Sequence, residues 1–139
     1  MADDVVLNKA AIMERCLRRV RELYAGHEAA LTTDFTQQDA ILLNLQRACE
    51  AAIGLAMHLV RVRRLGLPQE SRDAFDLLQK AGVLDAALAG KMKTMVGFRN
   101  IAVHNYRELD LDIVRSIIEH RLDDFAEFVR LAIQAPPQP

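Results

Sequence analysis

Apolar residues recur at helical steps along most of the chain. Over residues 5–24, Val6, Met13, Leu17, Val20 and Tyr24 share one side while Arg15, Arg18, Arg19, Arg21 and Glu22 fall between them, the pattern of a one-sided surface helix. Residues 25–35, with Gly26 and Asp34, read as a linker, and Thr36 with Asp39 three positions later resembles a capping box that lacks its usual Glu or Gln. From 37 to 64 the positions Ala40, Ile41, Leu43, Leu45, Ala48, Ala52, Ile53, Ala56, Leu59 and Val60 make the helix apolar around most of its circumference. It is expected at the centre of a bundle. Glu50 and His58 interrupt that girdle, about 80° apart; they either sit at its edge with their polar ends bonded or solvated, or line a cleft. Arg61, Arg63 and Arg64 end the helix, where cations complement free carbonyls, and Gly66 and Pro68 stop it.

Ser71 is the expected N-cap of a short helix through Lys80, with Ala74, Phe75, Leu77 and Leu78 inward. Asp85 caps the next helix, which runs to His104 with Leu88, Met92, Met95, Val96 and Val103 on one side. Gly90 and Gly97 lie inside it, each costing about 1 kcal/mol against alanine, which predicts another backbone close by at those points. Asp110 or Asp112 opens a final helix to about Gln134, with Val114, Ile117, Ile118, Leu122, Phe125, Phe128 and Val129 inward. The expected architecture is an all-α, antiparallel bundle of about five helices in one domain, residues 1–135, followed by a disordered tail, 136–139.

Composition narrows the alternatives. With 139 residues the chain can bury a core without disulfides or a structural metal. Six glycines and four prolines, three of the latter in the tail, are too few for the closely spaced turns of a sandwich or barrel. A net charge of −1 argues against binding nucleic acid through bulk positive charge and leaves a local patch open. Glu50, His58, Asp85 and Lys91 break the apolar runs short of the ~18 residues of a membrane span. The acidic start lacks the basic and apolar blocks of a secretory signal. Cys16 and Cys49 form no CxxC and read as small core residues of a reducing compartment, so a cytoplasmic location is expected.

Between residues 86 and 107 there is no acidic side chain, whereas Lys91, Lys93, Arg99 and Arg107 are basic. Within this stretch Phe98-Arg99-Asn100-Ile101-Ala102-Val103-His104-Asn105-Tyr106 concentrates polar and titratable groups where the apolar periodicity ends. Asn100 and His104 share a helix face, and Arg99 and Tyr106 align if the helix persists that far. Arg99 and His104 are about 140° apart, so the long arginine reaching round would converge with the imidazole on an object the size of a phosphate. That pair suits cleavage of an RNA phosphodiester. A histidine, with a reference pKa of about 6.5, can take the 2′-hydroxyl proton, and an arginine can hold the charge that develops on the phosphorus oxygens. His27, His58, His104 and His120 are scattered, with no HExxH motif or carboxylate cluster at metal-ligand spacing; the scheme needs neither metal nor cofactor. Spacing alone also fits a helix C-terminus decorated with favourable cations.

The run from Arg99 to Tyr106 resembles the signature of HEPN-domain proteins, Arg, four residues, His, one residue, Tyr, and in particular the HepT toxins paired with a minimal nucleotidyltransferase antitoxin. The resemblance extends over LQRACEAAIGLAMHLV, SRDAFDLLQKAGVL, MVGFRNIAVHNY and LDLDIV, in that order. It implies a two-fold dimer whose motif helices meet in a composite cleft, and a metal-independent endoribonuclease acting on tRNA or mRNA within a type VII-like toxin–antitoxin pair. Carried over by position, Arg99 would stabilise the scissile phosphate and His104 would be general base or acid. Asn100 and Asn105 would be supporting polar residues, and Tyr106 the tyrosine that receives AMP. The alternative within the same fold is a non-catalytic nucleotide- or partner-binding module of a nucleotidyltransferase. A dimer would double the acid-free segment locally without making the protein basic.

Overall fold

The computed structural model describes residues 3–134. Helix α1 (Asp4–Tyr24) starts where the Asp3 carboxylate accepts the Val6 N–H at 2.8 Å, a regular N-cap. It buries Val6, Met13, Cys16, Leu17, Val20, Leu23 and Tyr24 against α3 (Phe35–Val62), whose inner face supplies Ile41, Leu45, Ala48, Ala52, Leu55 and Leu59. The two run antiparallel: His58 near the end of α3 bonds Asp3 at the start of α1, and the Gln37 side chain at the start of α3 donates to the Leu23 carbonyl at the end of α1. Helix α3 meets the length and composition of a membrane span, yet half of that apolar window is buried inside the bundle.

Several boundaries differ from the sequence expectation, each for a local reason. The linker contains a short helix, α2 (Ala30–Thr33), because Leu31 is fully buried against α3. One isolated apolar residue carries no periodicity, so the pattern could not show it. The cap of α3 is Asp34 rather than Thr36: its Oδ1 accepts from Thr36 N and Gln37 N at 3.0 and 3.2 Å. Helix α3 ends in the arginines as expected, with Arg64 at φ +54° and Gly66 at φ +143°, a conformation that needs glycine. Helix α4 (Ser71–Lys80) is capped at Glu70, not Ser71; the Asp73 carboxylate accepts from Gln69 N and Glu70 N at 2.9 and 3.0 Å. Helix α5 (Ala86–His104) has Asp85 as N-cap, as expected, but Phe98 and Ala102 face inward while Val103 is exposed.

The final segment is two helices, α6 (Leu111–His120), capped by Asp110, and α7 (Leu122–Gln134). The break at Arg121 lets the stripe of α6 face α2 while that of α7 packs on α1 and α5, which one straight helix could not do. Thus the described residues form seven α-helices and one 3₁₀ turn rather than five helices. Residues 136–139, expected to be a disordered tail, lie outside the described residues. Phe75 of α4 and Phe128 of α7 meet edge-to-face at 5.5 Å in the core, both fully buried, tying α4 to the far side of the bundle. Both cysteines are buried, and burial pushes the Cys49 thiol up to about 12, against the pull of the Arg99 charge.

His58 is the one buried polar side chain among the described residues, and it is structural. Arg61 Nη2 donates to its Nδ1 at 3.0 Å, leaving Nε2–H to donate to Asp3 Oδ2 at 2.8 Å, so a neutral imidazole is satisfied on both sides. Glu50 is exposed and accepts from Gln46. His58 therefore takes the bonded reading, while Glu50 is solvent-exposed and bonded within its own helix. The His58 bond, then the Val6 N–H, hold the Asp3 carboxyl below its ordinary 3.8. A carboxyl depressed in the folded state stabilises above its unfolded value, and that contribution disappears as pH falls through the folded one. Asp3→Asn is accordingly expected to flatten the loss of thermal stability below about pH 4, read from melting curves across pH; an unchanged slope would show that the N-terminal clasp carries no stability.

Candidate functional site

Helix α5 delivers the motif. Its core side, Leu88, Ala89, Met92, Met95, Val96, Phe98 and Ala102, is buried against α3, α4 and α7 and fixes the helix rotation. That rotation leaves Ile101, Val103 and His104 exposed, with Arg99 and Asn100 half-buried at the edges. Arg99 turns towards α4: its Nη2 donates to Ser71 Oγ at 3.2 Å, and its Nε is buried with no hydrogen-bond partner. Ser71, expected to cap α4, thus holds the motif arginine instead. His104 is the last residue of α5 and makes no side-chain hydrogen bond among the described residues. One chain therefore places Arg99 and His104 on the same end of α5 without joining them to each other or to Asn100.

The helix does not persist to Tyr106. Asn105, at φ −138° and ψ 50°, breaks it, and Tyr106 opens a 3₁₀ turn (Tyr106–Glu108). The alignment of Tyr106 with Arg99 on one helix therefore does not form. Tyr106 is 46% exposed, and its hydroxyl donates to Asp39 Oδ1 at 3.0 Å on α3. Burial and then this bond raise its pKa above the ordinary 10.0, keeping the phenol protonated. By sequence Asp39 has only the look of a helix-capping residue, and nothing in the linear spacing, 67 positions, links it to Tyr106. The same stripe of α3 exposes Phe35 and Leu43. Together with Ile101 and Val103 they leave apolar surface uncovered around the motif.

The acid-free stretch is less positive in three dimensions than in sequence. Lys93 pairs with Asp76 of α4 at 2.7 Å, and Lys91 lies 3.8 Å from Asp124 of α7. Arg99 and Arg107 have no ion pair among the described residues. Among the described residues no other backbone closes on either glycine: Gly90 faces open space, and the neighbour of Gly97 is the Arg72 guanidinium. Among the described residues no group of three His, Cys, Asp or Glu could hold a metal ion.

An all-helical bundle with an Arg and a His five residues apart at the end of one helix, followed by a tyrosine in a turn, is the arrangement of a HEPN-domain protein. The chain belongs to the Ribonuclease HepT-like family, which residues 13–132 match. It is 46% identical over 127 residues to the mRNA nuclease HepT of Shewanella oneidensis, covering 91% of this chain and 95% of that one. Among solved structures it resembles a tri-AMPylated Shewanella oneidensis HEPN toxin in complex with an MNT antitoxin, at 45% identity and a TM-score of 0.88, over 94% of this chain and 97% of that one. A toxin–antitoxin structure with AMP-PNP gives 44% identity and a TM-score of 0.89, over 94% and 99%.

Proposed function

We propose that this protein is the ribonuclease toxin of a toxin–antitoxin pair, a single HepT-like domain over residues 1–135 that acts on RNA in the cytoplasm as a homodimer. The observation that carries this reading is the 46% identity, across almost the whole of both chains, to a protein named as an mRNA nuclease. The site supports it. Arg99 offers a buried guanidinium N–H with no partner, His104 an unoccupied imidazole, and the apolar surface of Ile101, Val103 and Leu43 around them suits a second copy of the chain. A two-fold arrangement would bring two copies of Arg99 and His104 to one cleft.

In the proposed reaction His104 takes the proton from a ribose 2′-hydroxyl as that oxygen attacks the adjoining phosphorus. The bond to the 5′-oxygen breaks, the leaving oxygen takes a proton from the second imidazole, and a 2′,3′-cyclic phosphate and a 5′-hydroxyl remain. Arg99 stabilises the charge on the non-bridging oxygens. Asn100 and Asn105 border this end of α5 as supporting polar groups. No step calls on a metal ion or cofactor.

The antitoxin is a minimal nucleotidyltransferase, and Tyr106 is the residue it silences. The phenol oxygen attacks the α-phosphorus of the nucleotide, pyrophosphate leaves, and Asp39 is placed to accept the phenol proton. The AMP then puts bulk and negative charge beside the cleft. Purified protein is expected to cleave RNA in EDTA. After incubation with antitoxin and ATP, the wild type gains AMP mass and loses activity, whereas Tyr106→Phe gains none at that site and stays active. Absence of cleavage under every condition would favour a non-catalytic partner of the nucleotidyltransferase.

A further inference from the structure

Arg72 has no place in the motif, yet the fold sets it beside the motif. It is exposed on the first turn of α4, and its Nη2 lies 2.8 Å from where a Cβ on Gly97 would stand. Any larger residue at 97 would displace the guanidinium, so the missing side chain is a notch in α5 that Arg72 fills. Gly97 and His104 are seven residues apart, which puts them within about 20° of one face and about 10 Å apart along the axis. Helix α4 runs antiparallel to α5, since Ser71 meets Arg99 and Asp76 meets Lys93. Its first turn is therefore the part of α4 nearest the His104 end.

The charge on Arg72 is not used within the chain. Among the described residues it has no ion pair and no hydrogen-bond partner. The nearby carboxylates are engaged elsewhere: Asp76 holds Lys93 at 2.7 Å, and Asp73 accepts the Gln69 and Glu70 backbone N–H groups. Glu70 lies two positions back along the chain and forms no ion pair with Arg72. A guanidinium seated against α5 by its Nη2 end, without an ion pair among the described residues and on an exposed residue at the His104 end of α4, has the charge and the free N–H groups to grip a phosphate.

We propose that Arg72 binds a backbone phosphate of the RNA strand next to the scissile one, and that Gly97 is the notch that positions it. This rests on the ribonuclease reading above. A contact of this kind positions the strand without reading bases, so its removal should weaken binding for all sequences alike.

The test is the binding of a 2′-O-methyl RNA oligonucleotide, which lacks the attacking hydroxyl and cannot be cleaved, across a range of salt concentrations. Unmodified RNA serves in parallel for cleavage. Arg72→Ala is expected to weaken binding several-fold and to reduce the slope of log K against log salt by about 0.7 for each phosphate that is no longer neutralised. Its cleavage defect should fall on KM rather than kcat. Arg72→Lys should keep most of the salt slope. Gly97→Ala, which moves only the flexible end of an arginine, should show part of the same defect, and adding it to Arg72→Ala should weaken binding no further. An unchanged affinity and salt slope in Arg72→Ala, or fully additive effects in the double variant, would overturn the inference while wild-type cleavage left the ribonuclease reading standing. A wild type that neither binds nor cleaves RNA would overturn both.

Discussion

Replacing His104 with alanine is expected to lower the rate of RNA cleavage by about 10²–10⁴-fold, the usual contribution of one general acid–base group. Arg99→Ala is expected to cost about 10²–10³-fold, the contribution of one preorganised charge at the reacting phosphate. The two variants should differ in their structural cost. His104 is exposed and makes no side-chain bond among the described residues, so its removal should leave the melting temperature where it was. Arg99 is half-buried and bonds Ser71, so its removal should also perturb the packing of α4 on α5. Cleavage of a defined RNA by each variant, with a thermal melt beside it, checks both. Undiminished cleavage by His104→Ala would remove the imidazole from the chemistry.

The second large effect is on stability. Phe75→Ala is expected to destabilise the fold by about 3–5 kcal/mol, the range for emptying a fully buried aromatic position. That corresponds to a fall in melting temperature of roughly 10–20 °C for a chain of this size. Phe75 has no exposed surface and meets Phe128 edge-to-face, so its removal leaves a cavity between α4 and α7. Because α4 carries Ser71 and Arg72, any variant that still folds should also grip Arg99 less firmly. Denaturant unfolding measures the first effect; a change below about 1 kcal/mol would mean that α4 is anchored by other residues.

Much of the bundle is legible because long helices announce themselves. The stripes of α1, α3 and α7 and the caps Asp85 and Asp110 depend on residues a few positions apart, and local hydrogen bonds decide them. What the pattern does not carry is non-local or rests on a single side chain. Leu31 makes a helix of a linker because α3 and α6 lie over it; Arg121 breaks a continuous stripe because its two halves face different neighbours. Ser71 has the chemistry of an N-cap, yet Arg99, 28 positions away, takes its hydroxyl.

For the candidate site, the sequence alone determined which groups are available: an arginine, an asparagine and a histidine in one helix, and a tyrosine just past it, spaced as in HEPN-domain proteins. Only the tertiary structure decided how they are presented. It turned Arg99 onto α4, left His104 free at the helix end, moved Tyr106 into a turn against Asp39, and neutralised Lys91 and Lys93 with acids from α7 and α4. The physical reason is the same in each case. Helical periodicity fixes the direction of a side chain relative to its own axis, whereas its partners are set by the helices packed against that axis, tens of residues away.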